Sequence, residues 1–205
     1  MNGVTPLLSA RSTRVRPTVV IVALATIVSV QAAHTAQDVA VETERQENAL
    51  AVNAHATLRA PLPVIWRTLT DYNHLANFIP GMRKSRVVER RGNTAIVEQA
   101  GEASVFFFRY PITVTLEADE HYPAMIGVRV LNGNLRQLSG AYRIESVYGR
   151  SDEFVLRWRG VIEPDIPLPL FLTAPGLRAA VEDEFRGMVR EIERRQTLQV
   201  SGRPD

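Results

Sequence analysis

Apolar and polar residues alternate along residues 51–59, which is typical of a β-strand with one buried face. Pro61 and Pro63 end the alternation, and Pro63 suits the first turn of a helix. The apolar positions then follow a helical spacing of three and four residues, at Leu62, Ile65 and Leu69. The pattern therefore predicts a strand followed directly by a short helix.

From residue 82 onward the chain returns to strand-like patterns separated by turn residues. Asn132-Gly133-Asn134 is a strong hairpin signal, and Arg91-Gly92-Asn93 indicates a second tight turn. The predicted strands span residues 86–90, 94–100, 106–118, 125–131, 135–147 and 153–162. Consecutive strands joined by short connections form an antiparallel meander, so we expect a sheet of six or seven strands.

The last part of the domain changes from strand to helix. Residues 163–175 contain four prolines, which predict an irregular segment, and a helix is expected from Gly176. Its apolar residues recur at spacings of four, four, three and four, at Leu177, Val181, Phe185, Met188 and Ile192. This order of elements predicts one α+β domain over residues 49–199, followed by a disordered tail at residues 200–205.

The N-terminal residues look like an export signal. Arg11, Arg14 and Arg16 precede an apolar run at residues 19–30, and cleavage after Ala32 fits the small-residue rule. We expect a signal peptide over residues 1–32, a flexible leader over residues 33–48 and an exported, periplasmic protein. The alternative is an uncleaved N-terminal segment that anchors the protein to the membrane.

Composition excludes several functional classes. The formal charge of the 205-residue chain is +2, and it becomes −1 once the three arginines of residues 1–32 are removed, so no nucleic-acid partner is expected. The chain has no cysteine, and its four histidines show no metal-ligand spacing, so neither a metal site nor a cofactor is predicted. No catalytic residue is assigned, because nucleophile and phosphate-binding motifs are absent from the sequence.

Two stretches of the sequence resemble a known family. The segment WRTLTDYNHLANFIPGM at residues 66–82 is similar to the helix-turn-helix signature of the coenzyme Q-binding (COQ10-like) and polyketide cyclase group of the START-like (SRPBCC) superfamily. The stretch NGNLRQLSGAYRI at residues 132–144 resembles the strand pair of that family. The resemblance implies a helix-grip fold, in which a curved antiparallel sheet of six or seven strands surrounds a long C-terminal helix with an apolar cavity between them.

The same resemblance implies non-enzymatic binding or transport of a hydrophobic small molecule or lipid. The alternative is a cyclase or aromatase that acts on a polycyclic aromatic substrate, with Tyr142, Arg143 and Arg159 as candidates for its chemistry. For each arginine, and for the aromatic residues, a solvated surface or plain core packing stays open as the other interpretation. Residues 164–175 are expected to form a lid or to touch a membrane surface. The candidate ligand-binding residues are Trp66, Tyr72, Phe78, Phe108, Tyr142, Trp158, Phe171, Leu172, Phe185 and Met188.

Overall fold

The computed structural model of the protein describes residues 39–202, except residues 106, 107 and 167 and the side chains at positions 105 and 108. All described residues belong to one compact unit. The predicted signal peptide therefore lies outside the described residues.

The described chain forms eight strands, one 3₁₀ helix and two α-helices. The 3₁₀ helix spans Tyr72–Asn77 and is called η1 here. The other elements are β1 (Ala40–Gln46), β2 (Ala49–Arg59), α1 (Leu62–Leu69), β3 (Met82–Arg91), β4 (Thr94–Val105), β5 (Phe108–His121), β6 (Met125–Gly133), β7 (Leu135–Ser146), β8 (Glu153–Pro164) and α2 (Leu170–Val200).

All eight strands belong to a single antiparallel sheet with the order β1-β2-β8-β7-β6-β5-β4-β3. This confirms the predicted meander and the α+β class, but the described residues form eight strands, one more than the upper end of the predicted six or seven. The additional strand is β1, within the leader predicted to be flexible over residues 33–48. Only Val41 of β1 is buried, so the backbone pairing with β2, not an apolar pattern, holds this strand in place.

The long helix begins six residues earlier than predicted. Pro169 precedes the helix, and Pro175 lies inside it. A proline near the start of a helix removes few intrahelical hydrogen bonds. Thr173 is fully buried and lies four residues before the buried Leu177 on the same face. Burial of that face therefore extends the helix across Pro175. The irregular segment predicted at residues 163–175 is wrong at both ends, since residues 163–164 belong to β8 and residues 170–175 belong to α2.

The core lies between the inner face of the sheet and the three helical elements. On β2 the inward positions alternate as predicted, and Ala54, Ala56 and Leu58 are fully buried. On α2 the buried positions include Leu177, Phe185 and Ile192, which belong to the predicted apolar stripe. The pattern of the sequence therefore identified correctly which faces of β2 and α2 meet.

Candidate functional site

An apolar cavity of about 210 Å³ lies between α2 and the inner face of the sheet. Its walls come from β4 to β8 on one side, from α2 on the other, and from α1, η1 and the segment after η1. Aliphatic side chains predominate in the lining; representative ones are Ile126, Val128, Leu135, Leu138, Leu177 and Val181. A concave space with this lining is the usual form of a small-molecule site.

The cavity exists because α2 approaches the sheet unevenly. Its main strand contacts are with β1 and β2 on one side of the sheet and with β4 on the other. The strands between them, β5 to β7, contribute wall residues but make few or no close backbone contacts with the helix. A curved sheet that meets a helix at two places leaves a gap beneath the strands between them.

A hydrogen-bonded pair of polar side chains lies in this apolar wall. The Tyr142 hydroxyl on β7 donates to Oε1 of Glu184 on α2 across 2.7 Å, and both residues line the cavity. Burial raises the pKa of Glu184, and the hydrogen bond from Tyr142 opposes part of that rise. Burial and the neighbouring Glu184 also raise the pKa of Tyr142 well above 10. The pair therefore retains its protons over a wider pH range than the same groups in water.

A second hydroxyl in the cavity wall has no hydrogen-bond partner among the described residues. Tyr72, on η1, is 6% exposed, and its hydroxyl is buried without an acceptor or donor in hydrogen-bonding geometry. Burial, with the nearby carboxylate of Glu120, raises its pKa. Tyr72 and Tyr142 both line the cavity. A buried hydroxyl without a partner is uncommon and calls for an explanation.

Two glycines position Trp158 in the cavity wall. Gly140 on β7 and Gly160 on β8 face each other across the strand pair. A Cβ atom at Gly160 would lie 2.6 Å from the Trp158 ring, and one at Gly140 would lie 3.1 Å from it. Tyr142 packs beside the indole and stacks on Phe185, with ring centroids 6.3 and 6.1 Å apart. The glycines therefore let the indole lie against the sheet, where it contributes to the wall.

The structure brings five of the ten candidate ligand-binding residues together. The five that line the cavity are Tyr72, Tyr142, Trp158, Phe185 and Met188. The side chain of Phe108 lies outside the described residues. Whether any of these residues binds a ligand stays a prediction.

The other four candidates lie away from the cavity wall. Trp66 is buried beneath the exposed Tyr122, with ring centroids 5.1 Å apart, and Phe78 packs against the core under the Arg195 guanidinium. Phe171 is 59% exposed, and Leu172 is partly buried beside it on α2. None of these four lines the cavity, because the direction of a side chain depends on how α1 and α2 are oriented and not on residue type. Whether Trp66 and Phe78 act as wall residues, or Phe171 and Leu172 lie at the mouth, for a bound ligand stays a prediction.

The arginine candidates for chemistry are placed on the outer side of the sheet. Arg143 and Arg159 are exposed, and neither lines the cavity. Of the three polar residues considered for catalysis, only Tyr142 lies in the wall. Glu184, which the sequence analysis missed, lies there too. It falls four residues after Ala180 and four before Met188, beside the apolar stripe, and that position was its only signal in the sequence.

Two further properties bear on function. Within the described part of the chain, no three His, Asp or Glu side chains cluster in a way that could hold a metal ion. Over the same residues, no helix combines the length and the hydrophobicity needed to cross a membrane.

Several solved structures have a fold similar to that of this chain. Similar solved structures include the Zhui aromatase/cyclase from Streptomyces sp. R1128, with a TM-score of 0.59 and 19% identity over 76% of this chain and 99% of that one. The STAR-related lipid transfer protein from Xanthomonas axonopodis has a TM-score of 0.58 and 10% identity over 77% and 99%. Human STARD10 has a TM-score of 0.57 and 8% identity over 82% and 78%. These likenesses confirm the helix-grip fold.

Among curated proteins, none matches this chain significantly in sequence. A family model described as "Polyketide cyclase / dehydrase and lipid transport" matches residues 58–199. That span covers most of the described domain, including η1, the hairpin of β6 and β7, and α2. The finer resemblance to coenzyme Q-binding proteins stays a prediction. The chain belongs to the polyketide cyclase/dehydrase and lipid transport family.

Proposed function

We propose that the protein binds and carries a compact hydrophobic molecule in the cavity between the sheet and α2, without changing it chemically. The observation that carries this proposal is the apolar space itself, closed by α2 on one side and by β4 to β8 on the other. Removing the apolar surface of a ligand from water supplies the driving force, at about 25 cal/mol per Å² before the costs of association. Names of similar proteins, an aromatase/cyclase and lipid transfer proteins, support a ligand-binding role without choosing the ligand.

The volume of the cavity limits the size of the ligand. A dry apolar cavity of about 150 Å³ admits benzene, and pockets for drug-sized molecules begin at about 300 Å³. At about 210 Å³, this cavity suits one or two fused rings or a short hydrocarbon chain. A lipid with two acyl chains would need α2 or η1 to move outward. We therefore favour a compact ligand over a phospholipid or a long-tailed quinone.

The proposal can be tested by filling the cavity from α2. Ala180 lines the cavity, whereas Ala179 is exposed on the outer side of the same helix. Ala180→Phe should occupy the space that a ligand would take, and Ala179→Phe adds the same group to solvent. Wild type and both variants would be purified from the native host and analysed by native mass spectrometry and organic extraction.

We expect a co-purified apolar molecule with wild type and Ala179→Phe, and its loss from Ala180→Phe. Binding of a small aromatic probe such as naphthalene should follow the same order. A protein that binds neither an extracted molecule nor any probe from a panel of apolar compounds would contradict the proposal. Equal binding by the two phenylalanine variants would place the ligand elsewhere.

A cyclase or aromatase activity is a second candidate, favoured by the Tyr142–Glu184 pair. A buried carboxyl group with a raised pKa keeps its proton to higher pH than usual, which suits a general acid. The test compares the molecule that co-purifies with wild type and with Glu184→Gln. Accumulation of a less cyclised or less dehydrated precursor only in the variant would support the enzyme, and identical molecules would support the carrier.

We further propose that the protein acts outside the cytoplasm. The support is the arginine-flanked apolar run before Ala32 in the sequence. Cell fractionation followed by intact-mass measurement should find protein that begins at residue 33 in the periplasmic fraction. Full-length protein in the membrane fraction would instead favour the anchored form. Contact of residues 164–175 with a membrane remains part of this proposal, supported by the exposed Phe171.

A further inference from the structure

The polar side chains of the cavity are few, and most of them carry oxygen. Apart from the amide of Gln99 and the indole of Trp158, they bear only hydroxyl or carboxyl groups, and within the described residues no Arg, Lys or His lines the cavity. Tyr72, Tyr142 and Glu184 form a group in which one hydrogen bond is made, from Tyr142 to Glu184. We call these three residues the oxygen cluster. Their arrangement in an otherwise apolar wall points to the polar end of a ligand.

The oxygen cluster is incomplete without a ligand. The Tyr72 hydroxyl can donate one hydrogen bond and accept others, but no described residue lies in good hydrogen-bonding geometry to it, and burial and the nearby carboxylate of Glu120 only raise its pKa. Of the two carboxyl oxygens of Glu184, only Oε1 accepts a hydrogen bond among the described residues. Glu120, the other carboxylate near Tyr72, is instead paired with Arg90 at 3.0 Å. A buried donor without a partner costs free energy that a ligand oxygen would recover.

We propose that the cavity selects an uncharged ligand that carries a hydroxyl or carbonyl oxygen on a compact hydrocarbon or aromatic skeleton, and that it rejects carboxylates. The ligand oxygen accepts a hydrogen bond from Tyr72, and a ligand hydroxyl can also donate to Glu184. This inference rests on the proposed binding function and specifies its ligand class: phenols, small alcohols and ketones, as opposed to fatty acids and aromatic acids.

The rejection of acids follows from the missing cation. A carboxylate buried in this cavity would lie near Glu184 with no positive side chain in the wall to neutralise it. Arginines do lie at the margin, but Arg83 and Arg109 are both paired with Glu102. Their side chains are more than two-thirds exposed and are not part of the lining. An acid would therefore lose its hydration without gaining an ion pair.

The experiment uses three probes of nearly equal shape: naphthalene, 2-naphthol and 2-naphthoate. Their binding to the full-length protein at pH 7 would be measured by titration calorimetry or by probe fluorescence. We expect 2-naphthol to bind about tenfold more tightly than naphthalene, as one recovered hydrogen bond allows. We expect 2-naphthoate to bind at least about tenfold more weakly than naphthalene, because its charge is buried unpaired.

Two variants separate the roles of the cluster. Tyr72→Phe removes only the hydroxyl, so 2-naphthol should bind it no more tightly than naphthalene, while naphthalene binding stays within about twofold of wild type. Glu184→Gln removes a carboxyl group that can add a second negative charge beside the bound probe, so 2-naphthoate should bind this variant about tenfold more tightly than wild type. Tyr122→Phe is the matched control, because Tyr122 is 62% exposed and lies outside the cavity, and it should leave the binding of all three probes unchanged.

The outcomes distinguish this inference from the proposed function. If no probe binds wild type, binding of compact apolar ligands itself is contradicted. If naphthalene binds but 2-naphthol gains nothing, or 2-naphthoate binds equally well, the cavity stands and the inference is overturned. Tyr72→Phe leaves no former partner unsatisfied, and a thermal melt would verify that it folds. Should it fail to fold, the order of the three probes on wild type and on Glu184→Gln still decides the inference.

Discussion

The helix α2 packs in two different ways against one sheet. Against β2 the packing is solid: Ala54 and Ala56 are fully buried, and their small side chains let the helix come close. Beneath β5 to β7 the wall residues are larger, yet many of them keep accessible surface that faces the cavity. Large apolar residues therefore do not by themselves fill a core. Whether they fill it depends on the distance between the layers, which the curvature of the sheet sets.

The same comparison distinguishes two buried carboxyl groups on α2, those of Glu191 and Glu184. Near the C-terminal end of α2, Glu191 is bonded to Arg194 and Arg195, and Arg195 also reaches Asp71 at 2.7 Å. These arginines lower the pKa of Glu191. Glu184, two turns earlier, meets only a tyrosine hydroxyl, and burial raises its pKa. Arginine side chains therefore neutralise Glu191, whereas Glu184 faces the cavity, where its carboxyl group is available to a ligand.

The largest expected effect comes from truncating the solid region. Leu156, on β8, is fully buried, so Leu156→Ala should lower the free energy of unfolding by about 2–5 kcal/mol, since it opens a new cavity. Leu138, on β7, lines the existing cavity, and Leu138→Ala should cost only about 1–2 kcal/mol because it enlarges a space already present. Urea unfolding of both variants measures the difference. Equal losses would show that the cavity collapses in solution.

A smaller loss of stability is expected from a substitution at Gly187, where the segment after η1 packs against α2. A Cβ atom at Gly187 would lie 2.6 Å from the Phe78 carbonyl oxygen and 2.9 Å from Pro80. Gly187→Ala should therefore destabilise the protein by about 1–3 kcal/mol, although alanine favours a helix. Ala179→Gly, at an exposed position of the same helix, measures the propensity alone. A stabilised Gly187→Ala variant would mean that the Phe78–Pro80 segment does not rest on α2.

The smallest expected effect is a dependence of the free energy of unfolding on pH, caused by Glu184 in the cavity wall. Because the pKa of Glu184 is raised above its usual 4.5, the folded state binds more protons than the unfolded state between those two values. The stability that this group contributes is complete below about pH 4.5 and is lost as pH rises through the folded pKa. Each unit of pKa elevation is worth about 1.4 kcal/mol. Glu184→Gln should remove this loss of stability at higher pH.

The measurement is urea unfolding of wild type and Glu184→Gln from pH 4.5 to pH 8. The variant should gain stability relative to wild type as pH rises. Asp71 and Glu191 have lowered pKa values, so their contributions are lost only at more acidic pH, as pH falls through their folded values. A constant difference between the two proteins across the range would show that Glu184 is not buried in solution.

The sequence predicted the order of elements because each was marked locally. The alternation of β2 and the four-residue stripe of α2 identified their buried faces, and Gly92 and Gly133 marked turns with positive φ angles of 57° and 128°. The charge spacing on α2 was also informative: Glu182 with Arg186 and Glu191 with Arg195 are ion pairs. Arg178, which lies four residues before Glu182, instead donates to the Val41 carbonyl of β1.

Other features depended on contacts between distant residues. No local pattern marked β1, because its strand is defined by hydrogen bonds to β2 rather than by its own side chains. Asp71 has the position of a helix cap but makes no cap hydrogen bond, and its carboxylate instead pairs with His74 and Arg195. Arg195 is 124 residues away in sequence, so capping, which is a local rule, could not predict that partner.

The sequence alone therefore determined the α+β class, the sequence of strands and helices, and the apolar faces, because these depend on the periodicity of neighbouring residues. Only the tertiary structure decided that the apolar faces fail to meet beneath β5 to β7, and that Tyr72, Tyr142 and Glu184 face the resulting cavity while Arg143 and Arg159 face outward. The physical reason is that a cavity is set by the curvature of the sheet and by the two places where α2 touches it.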